Sequence, residues 1–303
     1  MIDTADFDVI VIGAGPAGLS AALVLGRARR CVLVVDGGPG RNWPTAASHG
    51  FLTQDGTPPD ELRRIGREQL APYDVRVVSG RASRVRRLGP GVSVSLDGDP
   101  PVTASALVLA TGMRDHLPPV AGFDEVYGLS AHHCPHCDGW EWRDRPLAAY
   151  APDGGADYAA GLKAWSDDVT LLTDGRPLPR RDADALRKAG VAVRTDRVRS
   201  LSSQRGMLSS VDFEVGASLP IDALFFHLGM EQASDIPRSL GCALDQRGFV
   251  RVDEACRTSV GGVYAAGDMT PGPQSVAAAV AEGSKAGAAA HHDLWRSRAG
   301  ARR

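Results

Sequence analysis

Short apolar, β-branched runs recur along the chain, separated by glycine-rich turns and by alanine- and leucine-rich stretches of helical period. That alternation predicts an α/β fold with buried parallel strands. The first run, Asp8-Val9-Ile10-Val11-Ile12, is short, apolar and β-branched, as expected of a buried parallel strand. An apolar helix is expected over 19–25 and a second strand over 31–35. Further strands are expected at 106–110, 146–150, 168–172 and 262–266, and an alanine-rich helix over 275–290. Residues 75–96 are rich in β-formers and read as a β-meander, with Arg81, Arg84, Arg86 and Arg87 on a solvated strand face. Leu117-Pro118-Pro119 cannot continue a helix or a central strand, so a link between domains is expected at 115–119.

Between the first strand and the first helix stands Gly13-Ala14-Gly15-Pro16-Ala17-Gly18. This is G-x-G-x-x-G in the setting that gives it meaning. The first glycine permits the tight turn, the second lets a pyrophosphate approach the backbone, and the third lets helix and strand pack closely. Gly13, Gly15, Ala17 and Gly18 are therefore dinucleotide-binding candidates. Asp36 ends the second strand, where a carboxylate can accept hydrogen bonds from a ribose hydroxyl pair.

The chemistry centres on His133-Cys134-Pro135-His136-Cys137-Asp138-Gly139-Trp140. Two cysteines separated by two residues can close a disulfide ring and reopen it, moving an electron pair between thiols and a second redox centre. The same spacing serves zinc, but a closed tetrahedral site needs two more ligands. Cys31, Cys242 and Cys256 stand singly, and His132, His133 and His136 crowd the pair too closely to complete a site, so no metal is expected. Pro135-His136 is a dipeptide of strongly oxidising thiol–disulfide proteins, which leans the pair toward making disulfides. Asp138, His136 and His133 are candidate proton carriers, since an imidazole titrates near working pH. His132 reads as a loop or capping histidine, and Trp140 and Trp142 either line a small apolar pocket or pack under the motif.

Two further stretches, Ala110-Thr111-Gly112 after one strand and Gly267-Asp268 after another, complete a pattern. Together with the glycine turn and the C-x-x-C-D-G, it resembles the two-dinucleotide-fold flavoprotein disulfide reductases, specifically the low-molecular-weight thioredoxin reductases, over nearly the whole chain. The resemblance implies an α/β protein of two Rossmann-like, three-layer dinucleotide-binding domains. The FAD domain would be discontinuous, at 1–115 and 241–303, with an inserted NADPH-domain-like module at 116–240 carrying the C-x-x-C. FAD is the cofactor it implies, with Thr111, Gly112 and Gly267 in its turns, Asp268 at the ribityl chain, and Gln274 and Ser275 at a helix start near the flavin ring. Asn42 and His49, in the loop after the ribose-binding strand, are expected over the flavin. The same resemblance makes Cys137 the flavin-facing sulfur and Cys134 the outward interchange sulfur, in a homodimer.

The second dinucleotide site departs from this pattern. After the strand at 146–150 comes Ala151-Pro152-Asp153-Gly154-Gly155, with Ala151 for the first glycine and Asp153 where pyrophosphate must approach. A carboxylate about 4 Å from a phosphate costs on the order of 4 kcal/mol at an effective dielectric of ~20, or roughly three decades of affinity. Asp174, after the next strand, would repel a 2′-phosphate, while Arg176, Arg180 and Arg181 follow it. A flavin and a dithiol pair without a nicotinamide site resemble the thioredoxin-reductase-like dithiol oxidases of the gliotoxin and holomycin type. That branch implies a small-molecule dithiol as substrate, O2 as electron acceptor and H2O2 as product. Asp138 departs from that branch, where histidine is expected, and matches the thioredoxin reductases. The alternative is a disulfide reductase fed by NAD(P)H or ferredoxin and acting on a thioredoxin-like protein.

Composition narrows the partners. At 303 residues with 43% apolar content the chain can bury a large core, and a net charge of -2 gives no reason to expect nucleic acid or an acidic membrane surface. No apolar run is long enough to cross a bilayer, and the first strand begins where a leader's apolar stretch would lie, so a cytoplasmic protein is expected.

Overall fold

The computed structural model describes residues 7–98 and 100–300. Strand β1 (Phe7–Ile12), helix α1 (Pro16–Arg27) and strand β2 (Val32–Asp36) open it. Helix α2 (Pro59–Glu68) and strand β3 (Val75–Ser79) follow, then strands β4 (Ala82–Leu88), β5 (Gly91–Leu96) and β6 (Val102–Leu109). After β7 (Met113–Asp115) and α3 (Phe123–Val126) come β8 (Ala131–His132), α4 (Pro135–Asp138) and β9 (Leu147–Tyr150). Helix α5 (Ala156–Gly161), β10 (Val169–Leu172), α6 (Arg180–Ala189) and β11 (Ala192–Arg194) continue the alternation. Strands β12 (Val198–Gln204), β13 (Met207–Phe213), β14 (Leu219–Pro220) and β15 (Ala223–Phe226) are followed by β16 (Met230–Gln232) and α7 (Ile236–Ser239). Strand β17 (Val263–Ala265) and helix α8 (Val276–Gly300) end the order.

Two compact units share the chain. The first comprises Met1–Arg41, Gly50–Arg114 and Glu231–Arg303, the second Asn42–His49 and Asp115–Met230. The return to the first unit comes at Glu231, earlier than the expected 241. Side-chain and backbone bonds explain the difference: the Gln232 amide donates to the carbonyls of Gly248 and Met269, and Ala233 N–H to that of Gly112.

In the first unit β3, β2, β1 and β6 lie side by side in parallel, and β17 adds in parallel to the end of β6. The start of β6 instead pairs antiparallel with β5, and β5 with β4. The meander is thus β4-β5-β6, and β3 belongs to the parallel sheet. β1 and the facing part of β6 are buried at nearly every position, the one partly buried position of β1 being Asp8. Helices α1 and α8 share the core on one face with Val9, Val11, Val32, Val34 and Val108. They pack at backbone distance: a Cβ added to Gly283 would lie 2.0 Å from the Ala17 carbonyl oxygen, and one at Gly287 2.7 Å from that of Ala21. Helix α8 continues past the expected end at 290 to Gly300.

In the second unit β11, β10, β9, β15 and β8 form a parallel sheet, and β12-β13-β14 a separate antiparallel one. The pleat sends alternate residues of β9 to opposite faces. Leu147 and Ala149 join Leu162, Leu171 and Leu186 in one core, whereas Ala148 and Tyr150 join Phe123, Leu201 and Phe213 in the other. Both faces are therefore covered, as a three-layer α/β unit requires.

Candidate functional site: a glycine turn and a redox disulfide

The glycine turn of the first unit is built as its sequence demands. Gly13 has φ +110°, and a Cβ there would meet the Ala110 carbonyl oxygen at 2.1 Å; a Cβ on Gly18 would meet the Gly13 oxygen at 1.8 Å. Those two glycines make the turn and the close approach of helix to strand. Gly15 differs, because a Cβ added to it has nothing within 4 Å. It faces open space at the start of α1, whose first turn carries no acidic residue, and among the described residues no side chain caps that end. Unpaired N–H groups and the positive end of the helix dipole meet there. A pyrophosphate has room to sit against this backbone, so the residues fit a dinucleotide.

Other candidates in the first unit fall into two clusters. Asp36 is buried, and its carboxylate accepts from both Arg63 (2.9 and 3.0 Å) and Arg67, and from the Gly38 N–H at 3.1 Å. Arg63 also donates to the carbonyls of Gly38 and Ala14, tying α2 to the glycine turn. In the second cluster Arg41 donates to Asp268 (3.0 Å) and to the Gln274 side-chain oxygen (2.9 Å). The Gly267 N–H and the Thr270 hydroxyl both donate to Glu282, which holds this turn against α8. Ser275 accepts from the Ala278 N–H at 3.2 Å as α8 begins, and the Thr111 hydroxyl contacts Met269 sulfur at 3.7 Å. Arg41, Arg63 and Glu282 were missed in the sequence. A spacing of four residues between Arg63 and Arg67, which sets both on one helical face, was the available signal.

In the second unit Cys134 and Cys137 form a disulfide with Cα atoms 5.3 Å apart. Cys134 caps the single turn of α4, whose first helical residue is Pro135, a position where the missing N–H costs nothing. Around this turn the three histidines take separate places. The exposed His136 lies edge-on to Trp165 with ring centres 5.3 Å apart, and His133 Nδ1 is 3.9 Å from Asp115. His132, expected in a loop or cap, is instead the histidine beside Asp138: Nδ1 lies 3.4 Å from Asp138 Oδ1, and the ring is only 6% exposed. Strand alternation explains this, since β8 pairs with β15 and sends His132 into the core and His133 to the other face. Burial and the neighbouring Glu141 raise the Asp138 carboxyl to about 7, against a smaller opposing pull from His49. Burial lowers His132 to about 4.

The segment with Asn42 and His49 belongs to this second unit. Asn42 donates to the Ser48 hydroxyl at 3.1 Å, and His49 Nε2 is 3.6 Å from Glu141. The two tryptophans divide the roles offered to them. Trp142 is buried under the motif, at 7% exposed, while Trp140 is 65% exposed with the Arg143 guanidinium 4.1 Å above its ring.

The altered nucleotide turn carries side chains where the first turn has glycines. Ala151 is buried, and a Cβ on Gly155 would fall 2.1 Å from the Ala151 Cβ. Asp153 and Arg176 pair at 3.6 Å on the surface. Asp174 does not face outward as a lone charge: it accepts from the Tyr150 hydroxyl (2.6 Å) and from the Val198 N–H (2.8 Å). Burial, with Asp174 beside it, raises the Tyr150 phenol. Helix α5 has six residues, half the length of the twelve-residue α1.

A dinucleotide fold interrupted by a second one bearing a C-x-x-C disulfide defines a thiol–disulfide oxidoreductase of the flavoprotein class. Residues 7–283 match the pyridine nucleotide-disulphide oxidoreductase family, and the chain belongs to it. The cofactor of that family and of its thioredoxin-reductase members is FAD. Among its relatives is a probable thioredoxin reductase of Arthroderma benhamiae, 32% identical over 97% of this chain and 81% of that one. The thioredoxin reductase tcpT of Claviceps purpurea is 30% identical over 95% and 94% of the two chains. In three dimensions the chain is similar to the crystal structure of HlmI, with TM-score 0.95 and 34% identity over 99% and 96% of the two chains. Among the described residues no helix is long and apolar enough to cross a membrane, and no cluster of side chains is arranged to hold a metal ion.

Proposed function

We propose that the protein is an FAD-dependent dithiol oxidase that closes a disulfide in a small-molecule dithiol through Cys134 and Cys137, with O2 as the final acceptor. The observation that carries this reading is the contrast between the two nucleotide turns. The first is open at Gly15; in the second Ala151 and Asp153 stand where the first has glycines, and Asp153 pairs with Arg176 at 3.6 Å. A redox disulfide beside a nucleotide turn altered in this way points to electrons drawn from a thiol substrate. The resemblance to dithiol oxidases of the gliotoxin and holomycin type supports the same direction.

FAD would be held by the Gly13–Gly18 turn and the start of α1 at its pyrophosphate, and by Asp268 and Gln274 with Arg41 beside them; the Asp36 carboxylate, expected at a ribose, is instead engaged by Arg63, Arg67 and the Gly38 N–H. Bound there, it supplies a two-electron acceptor for the reduced cysteines and a donor to oxygen. The chain's own residues do the rest. A substrate thiolate attacks Cys134 sulfur, the Cys134–Cys137 bond breaks, and a mixed disulfide forms with Cys137 as the leaving thiolate. The second substrate thiol, once deprotonated, displaces Cys134 and closes the product disulfide. Asp138, with a carboxyl near 7, both accepts and returns a proton at working pH. Two electrons and two protons leave the substrate and end on oxygen as hydrogen peroxide. A homodimer is the assembly this reading carries, to be checked by sedimentation.

The names of its relatives favour a second reading, a thioredoxin-reductase-like enzyme that draws on NAD(P)H or ferredoxin and reduces a thioredoxin-like protein. An anaerobic titration of the flavin absorbance separates the two. Bleaching by dithiothreitol alone, reversed by air with peroxide formed, is the expected result. Prompt bleaching by NADPH or NADH would overturn the oxidase reading.

A further inference from the structure

The strand that leads into the disulfide turn ends at a tyrosine that the reaction above does not use. β8 runs parallel to β15, with Leu224 opposite Ala131 and Phe225 opposite His132. One residue further on, the Tyr158 hydroxyl lies 3.2 Å from the His133 carbonyl oxygen and 3.3 Å from that of Phe226, and shares its proton between them. It joins the two strand ends where the ladder stops and Cys134 begins. Tyr158 stands on α5, and its ring stacks on His227 with centres 5.0 Å apart and planes at 27°. Burial raises the phenol above its ordinary value, so the hydroxyl remains a donor at working pH. The far side of the turn is held separately. The Gly139 N–H donates to the Pro135 carbonyl at 2.8 Å, and a Cβ on Gly139 would lie 2.9 Å from the Trp165 ring.

We propose that Tyr158 is a positioning residue for Cys134: its hydroxyl holds the His133 carbonyl, and with it the peptide that enters the redox turn, in the conformation of the closed disulfide. The inference rests on reading Cys134 and Cys137 as the redox pair. A peptide unit is planar, so a donor fixed to the His133 oxygen also fixes the Cys134 N–H on the opposite side and the Cys134 Cα that carries the sulfur. Closing the ring in competition with an outside thiol depends on the effective concentration of one cysteine at the other, and restraint of the backbone raises it. The two nucleotide folds differ in what their helices bring to this task. α1 has Pro16, Ala17 and Gly18 in its first turn, next to the glycine fingerprint, whereas α5 has Tyr158 in its first turn and directs it to the disulfide loop. The helix that follows the altered nucleotide turn thus serves the cysteines.

The test is the thiol–disulfide equilibrium of the FAD-bound protein in glutathione buffers under nitrogen. Two glutathione thiols become one glutathione disulfide as the Cys134–Cys137 bond is reduced to two thiols, and alkylation followed by mass measurement of the peptide carrying both cysteines reads the ratio. Tyr158→Phe keeps the ring on His227 and removes the donor. It should make the pair about fivefold easier to reduce, the worth of one buried hydrogen bond, or about 20 mV. His227→Ala removes the stack, keeps the hydroxyl and should retain the parent ratio. Replacing Tyr158 by fluorotyrosine, a stronger donor of almost the same size, should shift the ratio the opposite way, and it carries the test if Tyr158→Phe does not fold. An unchanged ratio in the variant that carries the test, or an equal shift in His227→Ala, overturns the proposal. The ratio needs neither oxygen nor a nicotinamide, so it decides the Tyr158 link whichever way electrons run. Oxygen uptake with dithiothreitol, measured in parallel on the parent, decides the oxidase reading independently.

Discussion

Asp138→Asn should change how stability depends on pH by an amount that follows from the buried pair. In the folded protein the Asp138 carboxyl stands at about 7 against an ordinary 3.8. A carboxyl raised in this way binds protons that the unfolded chain has released, so its contribution is fully present below pH 4 and is lost as pH rises through 7. His132 runs the other way. Its value of about 4 lies below the ordinary 6.5, so its contribution is present above pH 6.5 and is lost as pH falls through 4. At about 1.4 kcal/mol per pH unit separating folded and unfolded values, the carboxyl alone would remove roughly 4 kcal/mol between pH 4 and 7, and the imidazole alone would add roughly 3 kcal/mol between pH 4 and 6.5. The parent should therefore be nearly flat in this window as far as these groups are concerned. Asp138→Asn uncovers the imidazole, and its stability relative to the parent should climb by roughly 4 kcal/mol from pH 4 to 7. With a urea slope of about 3 kcal/mol per M, the gap between the two midpoints should change by roughly 1 M. Tryptophan fluorescence is the signal, since Trp43, Trp140, Trp142 and Trp165 all belong to the second unit. A gap that stays constant across the range would refute the raised Asp138 carboxyl.

The glycine turn offers a test in which folding and cofactor binding separate. Gly15→Ala should leave apoprotein stability within about 0.5 kcal/mol and weaken FAD, read from flavin fluorescence on release, because its added methyl points into open space where the pyrophosphate would lie. Gly13→Ala should fail to give stable apoprotein at all, since its Cβ would strike the Ala110 carbonyl. At the disulfide, Cys134→Ser should abolish dithiol-dependent oxygen uptake and retain stoichiometric FAD; uptake above a few per cent of the parent would exclude Cys134 as the attacked sulfur.

The strands at 8–12 and 106–110 were legible because strands covered on both faces carry almost no polar position, Asp8 being the exception. β3 was misassigned for the opposite reason. It is the outer member of the parallel sheet and is only partly buried, so Val75-Arg76-Val77-Val78 looks like half-exposed antiparallel sequence. C-x-x-C pointed to the disulfide once two further zinc ligands were found wanting. What surrounds it did not. The partner of Asp138 is six residues away and was passed over, because nothing local tells which of two adjacent histidines a strand will turn inward. Arg63 and Arg67 meet Asp36 across 27 and 31 residues of sequence, and such pairings depend on where a helix docks. At Asp174 the sequence suggested a charge facing a phosphate, whereas the fold gives that carboxylate to Tyr150 and Val198.

The close packing of α1 on α8 bears on how the protein matures. Ser20 donates to the Val280 carbonyl across 260 residues, and Gly283 and Gly287 let the two helices touch backbone to backbone. During synthesis the glycine turn leaves the ribosome some 260 residues before the helix that braces it. Flavin capture must then wait for α8 to emerge, and a nascent chain stalled before it would carry the glycine fingerprint while remaining colourless.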